Sequence, residues 1–304
     1  MKVCFFGLGS IGTRHLKNLA HICGAKKIDL EVHAFRSTSK KPEDFIDKIV
    51  NKYIYDFEDL EEYDIVFVTN PTSLHYDTIV NCAKHTKNFF IEKPLFHKYI
   101  PLEKNLFHNN SIFYVACPLR YTNVIRTAKE FIESNVVFSA RCICSSYLPE
   151  WRANTDYRQS YSAKKELGGG VRIDLIHEMD YLTYLFGFPQ ETKSFSGTFS
   201  NLEIDSDDLA VYLLKYADKL VEVHLDYFGR SAKREIEMIT ESGVTCFDLL
   251  NSKIYGNGIN TQFREEPNYK YMAEMEYFMD CVLNNNQTQN DIKHANKVLK
   301  LAEE

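Results

Sequence analysis

The chain is 304 residues long, 44% hydrophobic and 26% charged, and it carries a formal net charge of −6. This length favours two domains, and the composition is typical of a soluble globular protein. The negative charge argues against binding to a nucleic-acid backbone, and no apolar stretch reaches the length of a membrane-spanning helix. Nothing near the N-terminus resembles a signal peptide, so we expect a cytoplasmic protein with no nucleic-acid or membrane partner.

Eight cysteines are dispersed along the chain, and no two of them form a C-x-x-C pair. Cys142 and Cys144 share one face of a predicted strand, which leaves a metal or redox pair as the alternative interpretation. Reduced and buried thiols are the usual state of cysteines in a cytosolic chain, and we expect that state here.

The first predicted element is a short buried strand at residues 2–6, and a glycine-rich turn and a helix follow it directly. A Gly-x-Gly-x-x-Gly pattern between a strand and a helix indicates a dinucleotide site, whereas a glycine-rich turn without a ligand is the alternative. Glycines permit the tight turn, the approach of a pyrophosphate and the close packing of the helix, whose N-terminus then faces the phosphates. The predicted cofactor contacts in this turn are Gly7, Gly9, Ser10, Ile11 and Gly12.

A second strand is predicted at residues 28–35, and Arg36 and Ser37 follow it. Dinucleotide-binding folds place an acidic residue near this strand end to hold the ribose 2′-OH of the cofactor. A guanidinium beside small hydroxyls suits a 2′-phosphate instead. We therefore favour NADP(H), with NAD(H) as the alternative cofactor and a solvated basic loop as the interpretation without a ligand.

The chain continues with a predicted helix at residues 43–53 and strands at 64–69 and 88–91. Asn70 and Pro71 follow the first of these strands, and His75 lies in the next helical turn, where it is either a ligand contact or a packing histidine. Glu92 and Lys93 follow the second strand, and a lysine beside a nicotinamide can act as an acid, a base or an electrostatic clamp. Alternating strands and helices predict a doubly wound parallel sheet, the Rossmann type, over residues 1–118.

The second half, residues 119–304, has a different pattern. A long strand is predicted at 136–144, and later strands at 193–200, 208–216, 220–227, 235–241, 245–251 and 253–255 are joined by tight turns. This pattern predicts an α+β domain with a largely antiparallel, Tyr-rich sheet, which leaves a broad face for a homodimer or homotetramer. Helical periodicity after residue 268 predicts scaffold helices, which we expect to pack back on the first domain.

A glycine run at residues 168–170 precedes a predicted helix at 171–182. On one continuous helix Asp174 and His177 would face the same side, because residues three apart are neighbours there. A surface carboxylate–histidine pair is the interpretation without catalysis. Zinc would need a third ligand, and none stands at a suitable spacing, so we expect no metal.

Together these motifs resemble the Gfo/Idh/MocA oxidoreductase family, which includes glucose–fructose oxidoreductase and inositol dehydrogenase. The resemblance rests on Gly7-x-Gly9-x-x-Gly12-x-Arg14-His15, Asn70-Pro71 through His75, Glu92-Lys93-Pro94 and Gly-Gly-x-x-x-Asp174-x-x-His177. It implies a catalytic role for Lys93 and a catalytic helix that carries Asp174 and His177. Two departures stand out: Arg36 replaces the acidic cofactor residue, and Pro118-Leu119 precedes Arg120 where an asparagine is frequent.

The function expected from this resemblance is hydride transfer between a nicotinamide and a secondary alcohol or ketone of a sugar-like substrate. His177 is the first candidate for the acid/base, Lys93 is the competing candidate, and Asp174 would orient His177 or a substrate hydroxyl. Asn70, Pro71, His75, Glu92 and Lys93 complete the expected cofactor contacts. The candidate substrate contacts are Arg120, Trp151, Arg152, Tyr157, Arg158 and Tyr161. A regulatory protein that binds NAD(P) without turnover and a nicotinamide-dependent glycoside hydrolase are the alternative functions.

Overall fold

The computed structural model of the chain describes residues 1–36, 44–102 and 111–304. It divides into two compact units. The first comprises Met1–Ala116 and Tyr271–Asn296, and the second comprises Cys117–Lys270 and Lys297–Glu304.

The first unit contains a parallel sheet in which the described strands have the order β3-β2-β1-β4-β5-β6. This is the strand order of a doubly wound dinucleotide-binding fold, as the sequence predicts. Val3 of the central strand pairs with Val32 on one side and with Ile65 on the other. The strands are β1 (Lys2–Phe6), β2 (Glu31–Phe35), β3 (Lys52–Ile54), β4 (Ile65–Val68), β5 (Asn88–Ile91) and β6 (Ile112–Val115).

Three helices of this unit connect the strands: α1 (Ser10–Lys26), α2 (Asp44–Ile49) and α3 (His75–Cys82). Helix α1 buries Leu16 and Leu19 and ends at Lys27, whose left-handed backbone lets its N–H reach the last carbonyls. The predicted helix at 43–53 is wrong in its second half. Tyr53 and Ile54 belong to β3, where they pair with the end of β2, and this pairing at the sheet edge outweighs the local helical periodicity.

The second unit contains a sheet of eight strands in the order β14-β13-β12-β11-β7-β10-β9-β8, all within its described residues. Neighbouring strands are antiparallel except for β7 and β10, which pair in parallel. The prediction of a largely antiparallel sheet is therefore confirmed, although β14 was missed. The strands are β7 (Val137–Tyr147), β8 (Glu191–Gly197), β9 (Leu209–Lys215), β10 (Leu220–Asp226), β11 (Phe228–Thr240), β12 (Gly243–Asp248), β13 (Lys253–Gly256) and β14 (Ile259–Gln262).

One face of this sheet is covered and the other is open. Along β10, Val221 and Val223 are buried whereas Leu220 is 40% exposed, as the two-residue period of a strand requires. Of the tyrosines in this unit, Tyr212 and Tyr227 are fully buried, whereas Tyr255 on β13 is 39% exposed. The exposed positions of β8 and β9 include Phe195 and Leu213.

The helices within the second unit are α4 (Asn123–Ser134), α5 (Val171–Asp174) and α6 (Ile176–Phe186). Helix α4 begins at Thr122, whose hydroxyl accepts a hydrogen bond from the Ile125 N–H. The single helix predicted at 171–182 is wrong. Leu175 leaves helical geometry (φ −96°, ψ 28°), and its N–H turns back to the carbonyls of Val171 and Ile173, so one helix ends there and another begins.

Two helices complete the chain, α7 (Tyr269–Leu283) and α8 (Ile292–Glu303). In the first unit Phe278 inserts among aromatic rings of the parallel sheet. Its ring centroid lies 5.3 Å from that of Phe90 and 5.8 Å from that of Tyr114. All three side chains are fully buried, and Phe5 and Phe67 stack at 4.2 Å in the same layer. This aromatic cluster forms the core on one side of the sheet.

All eight cysteines are buried, and none of them is joined in a disulfide. Their reduced state stays a prediction. Of the helices in the described parts of the chain, none combines the length and the apolar character needed to cross a bilayer.

The aromatic cluster generates a stability prediction. Replacing Phe278 by alanine removes a fully buried ring and leaves a cavity, so we expect the free energy of unfolding to fall by about 3–5 kcal/mol. Tyr55→Ala is the matched control, because Tyr55 is 54% exposed in the same unit. Urea denaturation followed by circular dichroism measures both. Equal losses in the two variants would contradict the placement of Phe278 in the core.

Candidate functional site

The glycine-rich turn is shaped by two steric constraints and one open position. Gly7 has φ 97°, and a Cβ there would lie 2.7 Å from the backbone of Asn70. A Cβ on Gly12 would collide with the carbonyl oxygen of Gly7. Gly9, in contrast, has no described atom within 4 Å of the position of a Cβ. The turn therefore packs tightly underneath and stays open above Gly9.

Gly9 is also the N-cap residue of α1, and the first turn of that helix carries no acidic side chain. The Thr13 N–H makes the first intrahelical bond, to the Gly9 carbonyl, so the N–H groups before it lack helical partners. Unpartnered N–H groups at a helix N-terminus attract anions. The open space above Gly9 and the nearby N–H groups of Ser10 and Ile11 thus fit the pyrophosphate of a dinucleotide.

Arg36 follows β2 in the same unit. Its main-chain N–H bonds the Ile54 carbonyl at 2.9 Å, and its guanidinium lies 5.5 Å from the centroid of the Tyr53 ring. Arg36 therefore stands at the strand end where dinucleotide-binding folds usually place an acidic residue. Ser37, the other predicted contact for a 2′-phosphate, lies outside the described residues.

Asn70 and Pro71 follow β4, directly beside the glycine turn. The Asn70 side-chain amide donates to the Thr78 hydroxyl at 2.9 Å. Its Oδ1 atom is buried and has no hydrogen-bond partner among the described residues. An orphaned acceptor next to the open turn fits a ligand that brings a donor, such as a nucleotide ribose or a carboxamide.

His75 is 1% exposed, and its two ring nitrogens face the carbonyl oxygens of Leu95 and Asn70, each at 3.0 Å. Burial lowers the pKa of the imidazole, against the opposing effect of these carbonyls. The ring therefore anchors the start of α3 to the main chain, as in the packing alternative. Its role as a cofactor contact stays a prediction.

Glu92 and Lys93 follow β5, and the Lys93–Pro94 peptide bond is cis. The Glu92 Oε1 atom lies 2.5 Å from the His15 Nε2 atom, and its Oε2 atom accepts the Lys93 main-chain N–H at 3.1 Å. Burial raises the pKa of Glu92, but the hydrogen bond from His15 and the charges of His15 and Lys93 outweigh burial and hold it below its usual range. Sequence analysis included His15 in the glycine-turn motif but assigned it no role, and its contact with Glu92 was missed.

These residues share one edge of the parallel sheet. The glycine turn, Asn70 and Lys93 follow β1, β4 and β5, which are neighbours in the strand order. Ligands of doubly wound sheets bind outside the carboxyl ends of their strands. The first unit therefore brings a phosphate-binding turn and an amine to the same edge.

In the second unit the Asp174 carboxylate is 6% exposed and accepts hydrogen bonds from two tyrosine hydroxyls. Tyr161 donates to Oδ1, and Tyr227 donates to Oδ2 at 2.6 Å. Burial raises the pKa of both tyrosines, and the charge of Asp174 raises it further, so both hydroxyls keep their protons and donate. Sequence analysis selected Tyr161 but missed Tyr227.

His177 is the second residue of α6 and is partly buried. The break at Leu175 places it on a different helix from Asp174. The expectation that the two side chains stack on one continuous helix therefore does not hold, and their catalytic roles stay predictions.

A narrow pocket of about 10 Å³, room for a single water molecule, lies in the segment before α5. The indole of Trp151 stands edge-on to Tyr227, with 5.3 Å between ring centroids, and its N–H donates to the Ser146 hydroxyl. Predicted substrate contacts thus line a pocket that adjoins the buried Asp174 cluster through Tyr227. The lining residues are Leu148, Pro149, Trp151, Arg152, Thr155, Tyr157, Ser160 and Ser162.

Two predicted arginine contacts are engaged by carboxylates. Arg158 bonds Asp156 at 2.9 Å and Glu203 at 3.2 Å on the surface. Arg120 is 6% exposed and donates to both oxygens of Asp180, at 2.8 and 2.7 Å. A buried bidentate pair of this kind fixes the chain that leads into α4, so a structural role accounts for Arg120. Contact of either arginine with substrate stays a prediction.

Among the histidine, cysteine and acidic side chains of residues 1–36, 44–102 and 111–304, no three are grouped closely enough to hold a metal ion.

Comparison with known families gives two matches. A model described as "Oxidoreductase family, NAD-binding Rossmann fold", of the Gfo/Idh/MocA type, matches residues 1–105. The model of the Gfo/Idh/MocA C-terminal domain matches residues 125–244.

Three individual relatives share less than 30% sequence identity with this chain. An oxidoreductase of Streptococcus pneumoniae is 29% identical over 205 residues, which cover 64% of this chain and 54% of that protein, so the chain spans about half of its length. The myo-inositol 2-dehydrogenase of Thermotoga maritima is 24% identical over 93% of this chain and 88% of its own. A levoglucosan dehydrogenase solved with NADH and levoglucosan has the same fold, with a TM-score of 0.81, 16% identity and coverage of 100% of this chain and 95% of that chain.

The two family matches cover most of the chain in the order that the motifs predict, which confirms the resemblance. The chain therefore belongs to the Gfo/Idh/MocA family of oxidoreductases, and its N-terminal part is the NAD-binding Rossmann fold of that family.

Proposed function

We propose that the protein is an NADP(H)-dependent dehydrogenase or reductase that acts on a secondary alcohol or ketone of a carbohydrate. The observation that carries the proposal is the shared edge of the parallel sheet. There, the glycine-rich turn open above Gly9 follows β1 and Lys93 follows β5, on either side of β4 in a family Rossmann fold. Dehydrogenases of myo-inositol and levoglucosan among the similar proteins support the carbohydrate class.

When bound, the nicotinamide accepts or supplies the hydride at the substrate carbon. The protein must move the accompanying proton. His177 takes the hydroxyl proton during oxidation and returns it during reduction, because an imidazole titrates near working pH. Lys93 holds the reacting oxygen by charge and favours its deprotonated form, and Lys93 itself as the base is the competing assignment.

Asp174 orients the groups around it. The hydroxyls of Tyr161 and Tyr227 fix both carboxylate oxygens, so the carboxylate presents its remaining lone pairs in a defined direction. A substrate hydroxyl or His177 is the partner proposed for them. Trp151, Arg152 and Tyr157 supply an aromatic surface and a guanidinium in the adjoining pocket, which suit the C–H faces and hydroxyls of a sugar.

The direct test is a panel of inositols, sugars and anhydrosugars, with the absorbance of reduced nicotinamide as the measurement. With a substrate that turns over, we expect Lys93→Ala and His177→Ala each to lower kcat by about a hundredfold or more, as loss of an acid/base group does. The Kd of the dinucleotide should stay unchanged in His177→Ala, because His177 is not among the proposed cofactor contacts.

Lys87→Ala and His224→Ala are the matched controls, an exposed lysine at the other end of β5 and a half-exposed histidine on β10. Turnover that is unaffected in the Lys93 and His177 variants would remove the catalytic assignment. Dinucleotide binding without turnover of any carbohydrate would favour the regulatory alternative.

The cofactor preference rests on Arg36. A guanidinium at the end of β2 attracts a 2′-phosphate, whereas the carboxylate usual at this position repels it. We expect Arg36→Ala to weaken NADPH binding about tenfold, or about 1.4 kcal/mol, and to leave NADH binding nearly unchanged. Titration calorimetry with both nucleotides measures the difference. Tighter binding of NADH than of NADPH by the unmodified protein would overturn the preference.

We further propose a homodimer or homotetramer formed through the open face of the eight-stranded sheet. Phe195 is 82% exposed and Leu213 is 43% exposed on neighbouring strands of this face. Adjacent exposed apolar side chains mark an association surface. The free state of all eight cysteines fits the proposed cytoplasmic location.

Sedimentation velocity tests the assembly. We expect a dimer or tetramer for the unmodified chain and a shift toward monomer for Phe195→Glu, because association would bury the new charge. Tyr55→Glu, at an exposed site in the first unit, should leave the sedimentation coefficient unchanged. A monodisperse monomer of the unmodified chain would rule the assembly out.

A further inference from the structure

The carboxylate of Glu92 connects helix α1 with the main chain that follows β5. One oxygen accepts a hydrogen bond from His15 on α1, the helix that begins at the phosphate-binding turn. The other accepts the main-chain N–H of Lys93. The residues are 77 positions apart in sequence, so this contact is made only by the folded chain.

The His15 ring packs between aromatic neighbours. It is fully buried, its centroid lies 4.6 Å from that of Phe90, and the edge of Tyr271 stands 6.4 Å away. Because a carboxylate only accepts hydrogen bonds, the His15 Nε2 atom must carry the hydrogen. The Nδ1 atom is buried and has no hydrogen-bond partner among the described residues. The bond to Glu92 is thus the one directional contact found for this ring.

The charge of Glu92 is held in place as well. The side chain of Glu92 is 13% exposed, and the low pKa described above keeps it ionised at neutral pH. An ionised carboxylate only accepts hydrogen bonds, so Glu92 accepts from both His15 and the Lys93 main chain. The carboxylate therefore acts on Lys93 by geometry, through the main chain.

We propose that Glu92 and His15 are positioning residues for Lys93, which they hold at a set place relative to the N-terminus of α1. The inference rests on the proposed function in so far as Lys93 acts at the reacting oxygen. A dinucleotide bound at the N-terminus of α1 and the amine of Lys93 would then be aligned with each other. The alignment runs along one chain of hydrogen bonds, from His15 to Glu92 to the main chain of Lys93.

The first test separates positioning from stability. His15→Phe keeps a ring in the aromatic pocket but removes the N–H donor, so we expect kcat to fall at least about tenfold, as small misplacements of a reacting group do. The Kd of the dinucleotide and the KM of the substrate should stay close to their original values. His15→Gln restores an N–H donor and should recover most of kcat.

His33→Phe is the matched control. His33, on β2, is another buried histidine of the first unit, and its Nε2 atom lies 3.0 Å from the carboxylate of Glu31. This variant should lose a comparable amount of thermal stability with kcat unchanged. Equal kcat losses in His15→Phe and His33→Phe, or no rescue by His15→Gln, would overturn the positioning role.

A second test needs no turnover. Glu92→Met keeps a side chain of similar length but removes both acceptors, so the main-chain N–H of Lys93 loses its hydrogen bond to residue 92. We expect the hydrogen exchange of this N–H, followed by NMR, to become about tenfold faster or more relative to that of Ala116, whose N–H bonds the Ile91 carbonyl. An unchanged ratio of the two exchange rates would overturn the inference. If no carbohydrate turns over in the unmodified protein, the proposed function fails, and this ratio alone still decides the role of Glu92.

Discussion

The close contact between the glycine turn and the neighbouring strand end is the constraint on which the site depends. The Thr69 hydroxyl donates to the carbonyls of Phe6 and Gly7, and no side chain fits between Gly7 and the backbone of Asn70. This contact sets the start of α1 against the sheet. The first N–H groups of that helix lack helical partners, and Gly9 leaves open space beside them, so one steric constraint gives the turn a shape and a charge distribution that suit an anion.

The same constraint connects packing with chemistry. Helix α1 cannot move without moving His15, and His15 holds the carboxylate that bonds the Lys93 main chain. The aromatic core beneath, with Phe90 against both His15 and Phe278, gives this chain of contacts a rigid base. In the second unit a comparable arrangement exists around Asp174, where two protonated tyrosines fix a buried carboxylate. In each unit, hydrogen bonds thus hold the candidate functional residue, at the main chain of Lys93 in the first unit and at the carboxylate of Asp174 in the second.

Local patterns predicted much of this arrangement, and long-range contacts account for the rest. The glycine turn, Asn70 and Lys93 were found because parallel strands expose their carboxyl ends at one edge, so a strand prediction places the next residue. The partners of Asp174 and Glu92 could not be found in this way. Tyr227 lies 53 residues from Asp174, and Arg120, selected as a substrate contact, is occupied by Asp180 across 60 residues. Such pairings follow from tertiary packing, as does the helix break at Leu175, which periodicity alone does not show.

The most direct measurement of the central claim is a crystal structure of the whole chain with NADPH bound. The account predicts the pyrophosphate above Gly9 within hydrogen-bond distance of the first N–H groups of α1, the 2′-phosphate beside Arg36, and the amine of Lys93 next to the nicotinamide ring. A dinucleotide bound elsewhere, or a Lys93 amine turned away from the ring while Glu92 still bonds its main chain, would contradict it.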